Sequence, residues 1–221
     1  SDFPGTLEAV PLPWDSEAFG VQVGLLKVKG ALPRTLQIAK ANMGKADVVF
    51  VKADGWHDPQ GALAVDYTYE MELSGLTPVD HSTVVECRPP RPAHVALARE
   101  AFRGSRFYRD PFLSGRAGDF FEKWIHGYGI VYALETHIDD AFLFVSVDLD
   151  VAGRISLVAV TEKSRGASVG GDLVCGVMRR RRDLTPWRVR VNARNYSAIR
   201  FYENLGFRVK SVQTAFHIWL N

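Results

Sequence analysis

The chain has 221 residues, 47% hydrophobic and 24% charged, a globular balance with length enough for one large domain or two small ones. Its 27 basic and 25 acidic side chains leave a net charge of +2, which gives no footprint for nucleic acid. Two cysteines, Cys87 and Cys175, lie far apart without CxxC spacing, which argues against zinc and against a disulfide framework.

No apolar run approaches the ~20 residues a membrane span needs, and no signal peptide is apparent, so a cytoplasmic protein without metal is the expectation. Along the chain, residues 12–20 (Leu-Pro-Trp-Asp-Ser-Glu-Ala-Phe-Gly) predict a rigid start and a short helical turn, capped by Asp15 or Ser16 and anchored by Trp14 and Phe19. Residues 21–28 read as a strand. Residues 33–43 read as a helix with Pro33 at its start and Gly44 past its end, and 47–52 as a short buried strand. Alternation over 64–73 puts Val65, Tyr67, Tyr69, Met71 and Leu73 on one face of a further strand.

A composition change then predicts a boundary near residue 80. It separates an N-terminal α/β unit, residues 1–80, from a second unit, residues 81–221. The second unit opens with a short strand over 83–87, a stiff proline loop and a helix over 93–102. Residues 105–111 read as a polar-aromatic loop, followed by a helix over 116–126 with Phe120, Phe121, Trp124 and Ile125 on one side. Strands over 130–135 and 141–147 join across Asp139-Asp140, a hairpin-type connection. Residues 155–160 are a third strand. A helix to about residue 182, a strand over 187–191, a helix over 195–207 and two closing strands complete a mixed sheet with helices on its faces. Arg179 to Arg182 sit where a helix dipole favours cations.

Two motifs bear chemistry. Past the strand ending Val158-Ala159-Val160 comes a small-residue turn, Arg165-Gly166-Ala167-Ser168-Val169-Gly170-Gly171, just before a helix. Backbone N–H groups at a helix start suit phosphate oxygens, although close packing of helix on sheet explains such a turn equally well. It lacks the G-x-x-x-x-G-K-[ST] of a P-loop and the G-x-G-x-x-G of a dinucleotide fold. The second motif is Asn195-x-x-Ala198-x-x-Phe201-Tyr202-x-x-x-Gly206-Phe207, after a strand and along a helix.

Together these resemble the acyl-CoA site of the GNAT (GCN5-related N-acetyltransferase) superfamily, whose pyrophosphate loop reads Q/R-x-x-G-x-G/A. Ser168 stands at the usual first glycine of that pattern, and it presents the same N–H only at negative φ. The resemblance covers roughly residues 82–221 and implies a GNAT fold, with a mostly antiparallel sheet and acetyl-CoA or another acyl-CoA as cofactor. It also implies that pantetheine lies between splayed strands at 155–160 and 187–191, and that a primary amine attacks the thioester directly. Tyr202 matches the family's general acid, a phenol near pKa ~10 set against a thiol near ~8.5; packing beside Phe201 is its plain alternative. Asn195 either hydrogen-bonds pantetheine or caps its helix. Glu135, His137, Asp139, Asp140 and Glu162 are the candidate bases, with Asp139-Asp140 also reading as a solvated turn. The family often dimerises, so a homodimer is an expectation.

For the amine, Trp14-Asp15-Ser16-x-x-Phe19-Gly20 resembles the N-terminal stretch of acetyltransferases acting on dTDP-4-amino-4,6-dideoxygalactose. That resemblance implies a nucleotide-sugar substrate near Trp14, Asp15 and Phe19, and composition and position add Arg106, Phe107, Tyr108 and Arg109 as expected lining residues. Arginines would meet the phosphates and aromatics the base. Another amine (antibiotic intermediate, peptide or polyamine) and a non-catalytic CoA-binding module are the alternatives.

Overall fold

The structure, a computed structural model, describes residues 6–30, 35–59, 61–75 and 85–220. The expected start of a helix at Pro33 and the expected boundary at residue 80 lie outside them.

Ten strands form one sheet. They are β1 (Thr6–Pro11), β2 (Val23–Lys29), β3 (Val48–Asp54), β4 (Leu63–Leu73), β5 (Val85–Arg88), β6 (Val131–Leu134), β7 (Ala141–Val147), β8 (Gly153–Val160), β9 (Trp187–Asn192) and β10 (Arg208–Trp219). Their spatial order is β1-β2-β3-β10-β4-β9-β8-β7-β6-β5. The helices are α1 (Pro13–Phe19), α2 (Thr35–Met43), α3 (Pro92–Ala101), α4 (Arg106–Arg109), α5 (Ala117–Tyr128), α6 (Val169–Arg180) and α7 (Tyr196–Asn204).

Among the described residues two neighbouring strand pairs are parallel, β2–β3 and β8–β9, each joined by a crossover with a helix. The fold is therefore the mixed, mostly antiparallel sheet the sequence suggests. β3 alternates between two cores: Val48 and Phe50 pack under α1 and α5, while Val49 and Val51 pack on the opposite side with Ala39 of α2. That explains its unbroken apolar reading, because both faces are covered. β10 is one long strand where two were expected, with register shifts against β4 at 209/211 and 215/217. It lies between β3 and β4, so hydrogen bonding runs unbroken from the N-terminal strands to the rest.

Residues 105–111 were expected as a loop, but 106–109 wind into the single turn α4. That turn is too short to leave a periodic signal, and its packing comes from Phe107, buried among Phe19, Phe50, Phe120 and Phe121.

Candidate active site

β8 and β9 are hydrogen-bonded only at their starts, at Gly153↔Trp187, Arg154↔Arg188 and Ile155↔Val189. Beyond Ile155 they diverge. The cause lies on the other edge of β8. There Phe144 pairs with Leu157 and Val145 with Ile155, so Ser156 is an extra residue, a β-bulge. The bulge reverses the alternation. Ile155 faces the core under α6, whereas Leu157 and Ala159 face α3 and α5. Parallel strands that part in this way leave main-chain donors and acceptors unpaired toward the gap.

A cleft of about 690 Å³ occupies that gap. Val158 and Ser156 line it from β8, Val189 and Val191 from β9, and Asn195, Ala198 and Tyr202 from the start and middle of α7. A second cavity of about 660 Å³, over the α1–α4–α5 side of the sheet, shares Lys52, Arg106, Ile155, Ser156 and Arg190 with the first. An aromatic wall of Trp14, Phe107, Phe120 and Trp124 lines one part of it, and Asp15, Gly127, Ser146 and Arg154, the last ion-paired with Asp148 and Glu70, complete it.

Tyr202 is 2% exposed. Its ring meets Phe201 and Phe207 edge-on, and burial pushes its phenol well above the usual value, so the hydroxyl stays protonated. Asn195 caps α7: its Oδ1 accepts from the Ala198 N–H at 3.1 Å and from the Ser197 hydroxyl at 2.9 Å. Its amide nitrogen keeps its donors for the cleft.

The glycine-rich turn behaves differently from expectation. Ser168 could present the family's backbone N–H only at negative φ, and it adopts φ 62° and ψ −3° instead, the left-handed region that a glycine fills without cost. Gly166 is also left-handed, at φ 78°. Ser168 is the N-cap of α6 but makes no side-chain cap, so the first-turn N–H groups of Val169, Gly170 and Gly171 have no partner within the helix. Arg165 folds back, its Nε donating to the Val160 carbonyl at 3.2 Å. Residues 165–168 are exposed and lie outside both cavities. Gly170 is a packing glycine: a Cβ there would come within 3.3 Å of Val160 and 3.5 Å of Phe201.

Of the residues expected around an acceptor, Trp14, Asp15, Arg106 and Phe107 line the second cavity. Phe19 and Tyr108 line neither cavity. Phe19 is 1% exposed and stacks on Phe120 at 4.7 Å, while Tyr108 stacks on Phe121. The candidate bases Glu135, His137, Asp139, Asp140 and Glu162 also lie outside both cavities; Asp139 pairs with Arg91 and Asp140 with Lys163. The carboxylates that do line them are Asp66 and Asp15. Asp66 is buried, ion-paired with Arg109 and bonded by Asn192 Nδ2 at 2.6 Å. Burial raises the Asp15 carboxyl above its usual range.

Sequence reading missed the support beneath Arg106. Arg106 Nε donates to His217 Nε2 at 3.2 Å, and His217 Nδ1 donates to Asp110 Oδ2 at 2.7 Å. Trp219 Nε1 donates to the same oxygen at 3.2 Å, and the Phe112 N–H donates to Asp110 Oδ1 at 2.9 Å. Because Nε2 accepts, His217 is neutral. Burial, reinforced by the Arg106 charge, pushes its pKa down to about 4. The Asp110 carboxyl lies below its usual value, because its hydrogen bonds outweigh the burial that acts in the other direction. Arg106 also lies over the Phe107 ring at 4.4 Å. The cavity faces Arg106; the anchor lies wholly behind it.

No protein-family model matches the chain. It is 27% identical over 149 residues to the spore coat polysaccharide biosynthesis protein SpsD of Bacillus subtilis, which covers 61% of this chain and 50% of SpsD. The chain thus spans about half the length of that curated relative. Among solved structures, a functionally unknown conserved protein from Staphylococcus epidermidis superposes with a TM-score of 0.66 at 10% identity, covering 94% of this chain and 89% of the other. A GNAT-family acetyltransferase structure from Novosphingobium aromaticivorans gives 0.52 at 20% identity, covering 86% and 82%. The tandem GNAT protein of the clavulanic acid pathway gives 0.50 at 11%, covering 98% and 99%. With strands that part at a bulge and a helix carrying Tyr202 beside the gap, the chain has the fold of the GNAT acetyltransferases.

Proposed function

We propose that the protein is an acetyl-CoA-dependent N-acyltransferase whose acceptor is the primary amine of a sugar nucleotide. One observation carries the catalytic half of this reading: a protonated Tyr202 hydroxyl lines the cleft opened by the parting of β8 and β9. Pantetheine is a narrow chain bearing amides, and the gap suits it, with main-chain groups unpaired on both strands and apolar Val158, Val189 and Val191 between them. Val169, Gly170 and Gly171 would offer their free N–H groups to a pyrophosphate at the start of α6. Ala159 supports β8 from the opposite face and Phe201 supports Gly170.

Bound acetyl-CoA supplies an acyl group activated as a thioester. The protein's part is proton placement and positioning. Tyr202 holds a proton on its Oη at the pH of the cell and presents it for a departing thiolate. Asn195 fixes the start of α7, and with it the height of Tyr202 over the gap, while its Nδ2 is left to donate to a ligand amide.

The acceptor assignment rests on the second cavity. An aromatic wall beside Arg106 and Lys52 fits a nucleoside diphosphate better than a polyamine, which an arginine-lined site repels. The relative named for polysaccharide biosynthesis agrees with a sugar substrate. Acetyl-CoA and sugar nucleotides place the work in the cytoplasm; among the described residues no helix is long and apolar enough to cross a membrane.

The test is turnover of a panel of dTDP-amino sugars, antibiotics, peptides and polyamines with acetyl-CoA, repeated with Tyr202→Phe. That variant should lose roughly 10²–10⁴-fold in kcat while its acetyl-CoA affinity is unchanged. Wild-type kcat in the variant removes Tyr202 as the acid. Binding of acetyl-CoA with no amine consumed would make the chain a CoA-binding module.

A further inference from the structure

Where the two cavities meet, three cations converge from three elements: Lys52 of β3, Arg106 of α4 and Arg190 of β9, all of which line both cavities. Arg190 is ion-paired with Glu70 at 2.9 Å. Among the described residues neither Lys52 nor Arg106 has a carboxylate within ion-pairing distance. The hydrogen-bonding partner of Arg106 is neutral His217, which fixes the direction of the guanidinium without cancelling its charge. Asp66, which could have approached Arg106, is instead taken by Arg109 and Asn192. Two half-buried cations side by side, with Asp15 and Asp66 acting on them only from beyond contact distance, oppose folding both through repulsion and through lost hydration. The fold holds Arg106 there through buried His217 and Asp110 and half-buried Trp219.

Lys52 registers the same field. Burial first, then Arg106, Arg190 and Lys27, pull its ammonium down to about 8, and Asp15 acts in the other direction. The surroundings of Lys52 are thus Asp15 on α1, Arg106 on α4, Arg190 on β9 and Lys27 on β2. An anion placed at the junction would relieve all three cations at once, and a fork beside a point charge suits phosphate oxygens.

We propose that Lys52, Arg106 and Arg190 form a binding site for the diphosphate of the acceptor, with its base against the Trp14–Phe120–Trp124 wall. The identity of that acceptor rests on the reading of the second cavity given above; the anion site does not depend on acyl transfer. Phosphate can reach this protein from the acceptor or from CoA itself, and the site is assigned to the acceptor because the free N–H groups of α6 lie outside both cavities.

The experiment is calorimetric titration with dTDP and with inorganic pyrophosphate, each with and without saturating CoA, on wild type, Lys52→Gln and Arg106→Gln. dTDP should bind in the presence of CoA, more tightly than pyrophosphate and more weakly as salt is raised. Each substitution should weaken dTDP about tenfold, and should weaken dTDP by more than it weakens CoA. Lys52 loses its charge as pH rises through about 8, so the gap between wild type and Lys52→Gln should close above that pH. Absence of dTDP binding, equal binding by wild type and variants, or displacement of dTDP by CoA overturns the assignment. Should Arg106→Gln fail to fold, Lys52→Gln alone decides, since Lys52 carries no structural hydrogen bond. If wild type binds dTDP in this pattern yet never binds CoA, the anion site stands and the acyltransferase reading falls.

Discussion

Asp110→Asn is the sharpest test of how Arg106 is held at the second cavity. The carboxylate is fully buried and accepts three N–H groups, from Phe112, His217 and Trp219. Asparagine keeps the shape, so no cavity opens, but one oxygen becomes an NH₂. With its oxygen toward His217 and Trp219, the new NH₂ faces the Phe112 N–H, donor against donor. The remaining two hydrogen bonds lose their ionic acceptor. Hydrogen bonds to a charged group contribute about 1.5–3 kcal/mol each, so losing one and weakening two should cost about 3–4 kcal/mol. For a chain of 221 residues, at about 2–4 °C per kcal/mol, the thermal midpoint should fall by about 6–16 °C. Circular dichroism melts at pH 7.5 read this directly. The same substitution loosens His217 under Arg106, so the acceptor KM should rise while the acetyl-CoA KM holds. A midpoint within about 2 °C of wild type would refute the account, since it would mean that Asp110 bears none of those three donors.

Two further outcomes follow from the geometry. Folded His217 stays neutral down to about 4, against an ordinary value of 6.5, so between these values the unfolded chain binds a proton that the folded chain does not. Stability therefore falls as pH drops through that window, by about 3 kcal/mol in all. His217→Gln should flatten this part of a stability-versus-pH curve, and an unchanged slope would remove His217 as its source. Ser168→Gly releases a residue held at φ 62°, a strain of about 1–2 kcal/mol, against about 0.5–1 kcal/mol of added chain entropy in the unfolded state. The midpoint should rise slightly with CoA affinity kept; a drop in affinity would mean that the hydroxyl itself touches the ligand.

The run from β8 to α7 was legible because each of its signals is local. An apolar strand, a small-residue turn, a helix and the Asn195–Phe207 spacing all lie within about one crossover unit, and the structure returns those elements in that order. The bulge at Ser156 left no trace, because nothing in Ile155-Ser156-Leu157 distinguishes a slipped register from a regular one. Its existence depends on β7. Asp110 and His217 lie 107 positions apart, and Asp110 read only as part of the polar-aromatic loop over 105–111. Lys52 read as the polar end of a buried strand, and its neighbours on α4 and β9 come together only through the sheet. Phe19 was legible as an anchor, and the structure makes it one; Trp14 was given the same weight, yet it is 41% exposed at the cavity rim. One-dimensional spacing could not separate the two, since helix α1 sends them to different faces.

The placement of β10 has a bearing on how the molecule comes into being. Among the described residues, β1, β2 and β3 meet the remaining strands only through β10, by pairings such as Asp54↔Gln213 and Val48↔Trp219. Since β10 is made after every strand it joins, the two portions of sheet must wait as separate open edges during synthesis, exposed to mispairing. Closing spans of this length makes folding slow. The same strand brings His217 and Trp219, so the clamp on Arg106 forms in the event that seals the sheet. Half-folded chains would thus leave Arg106 without the support that fixes it over the cavity.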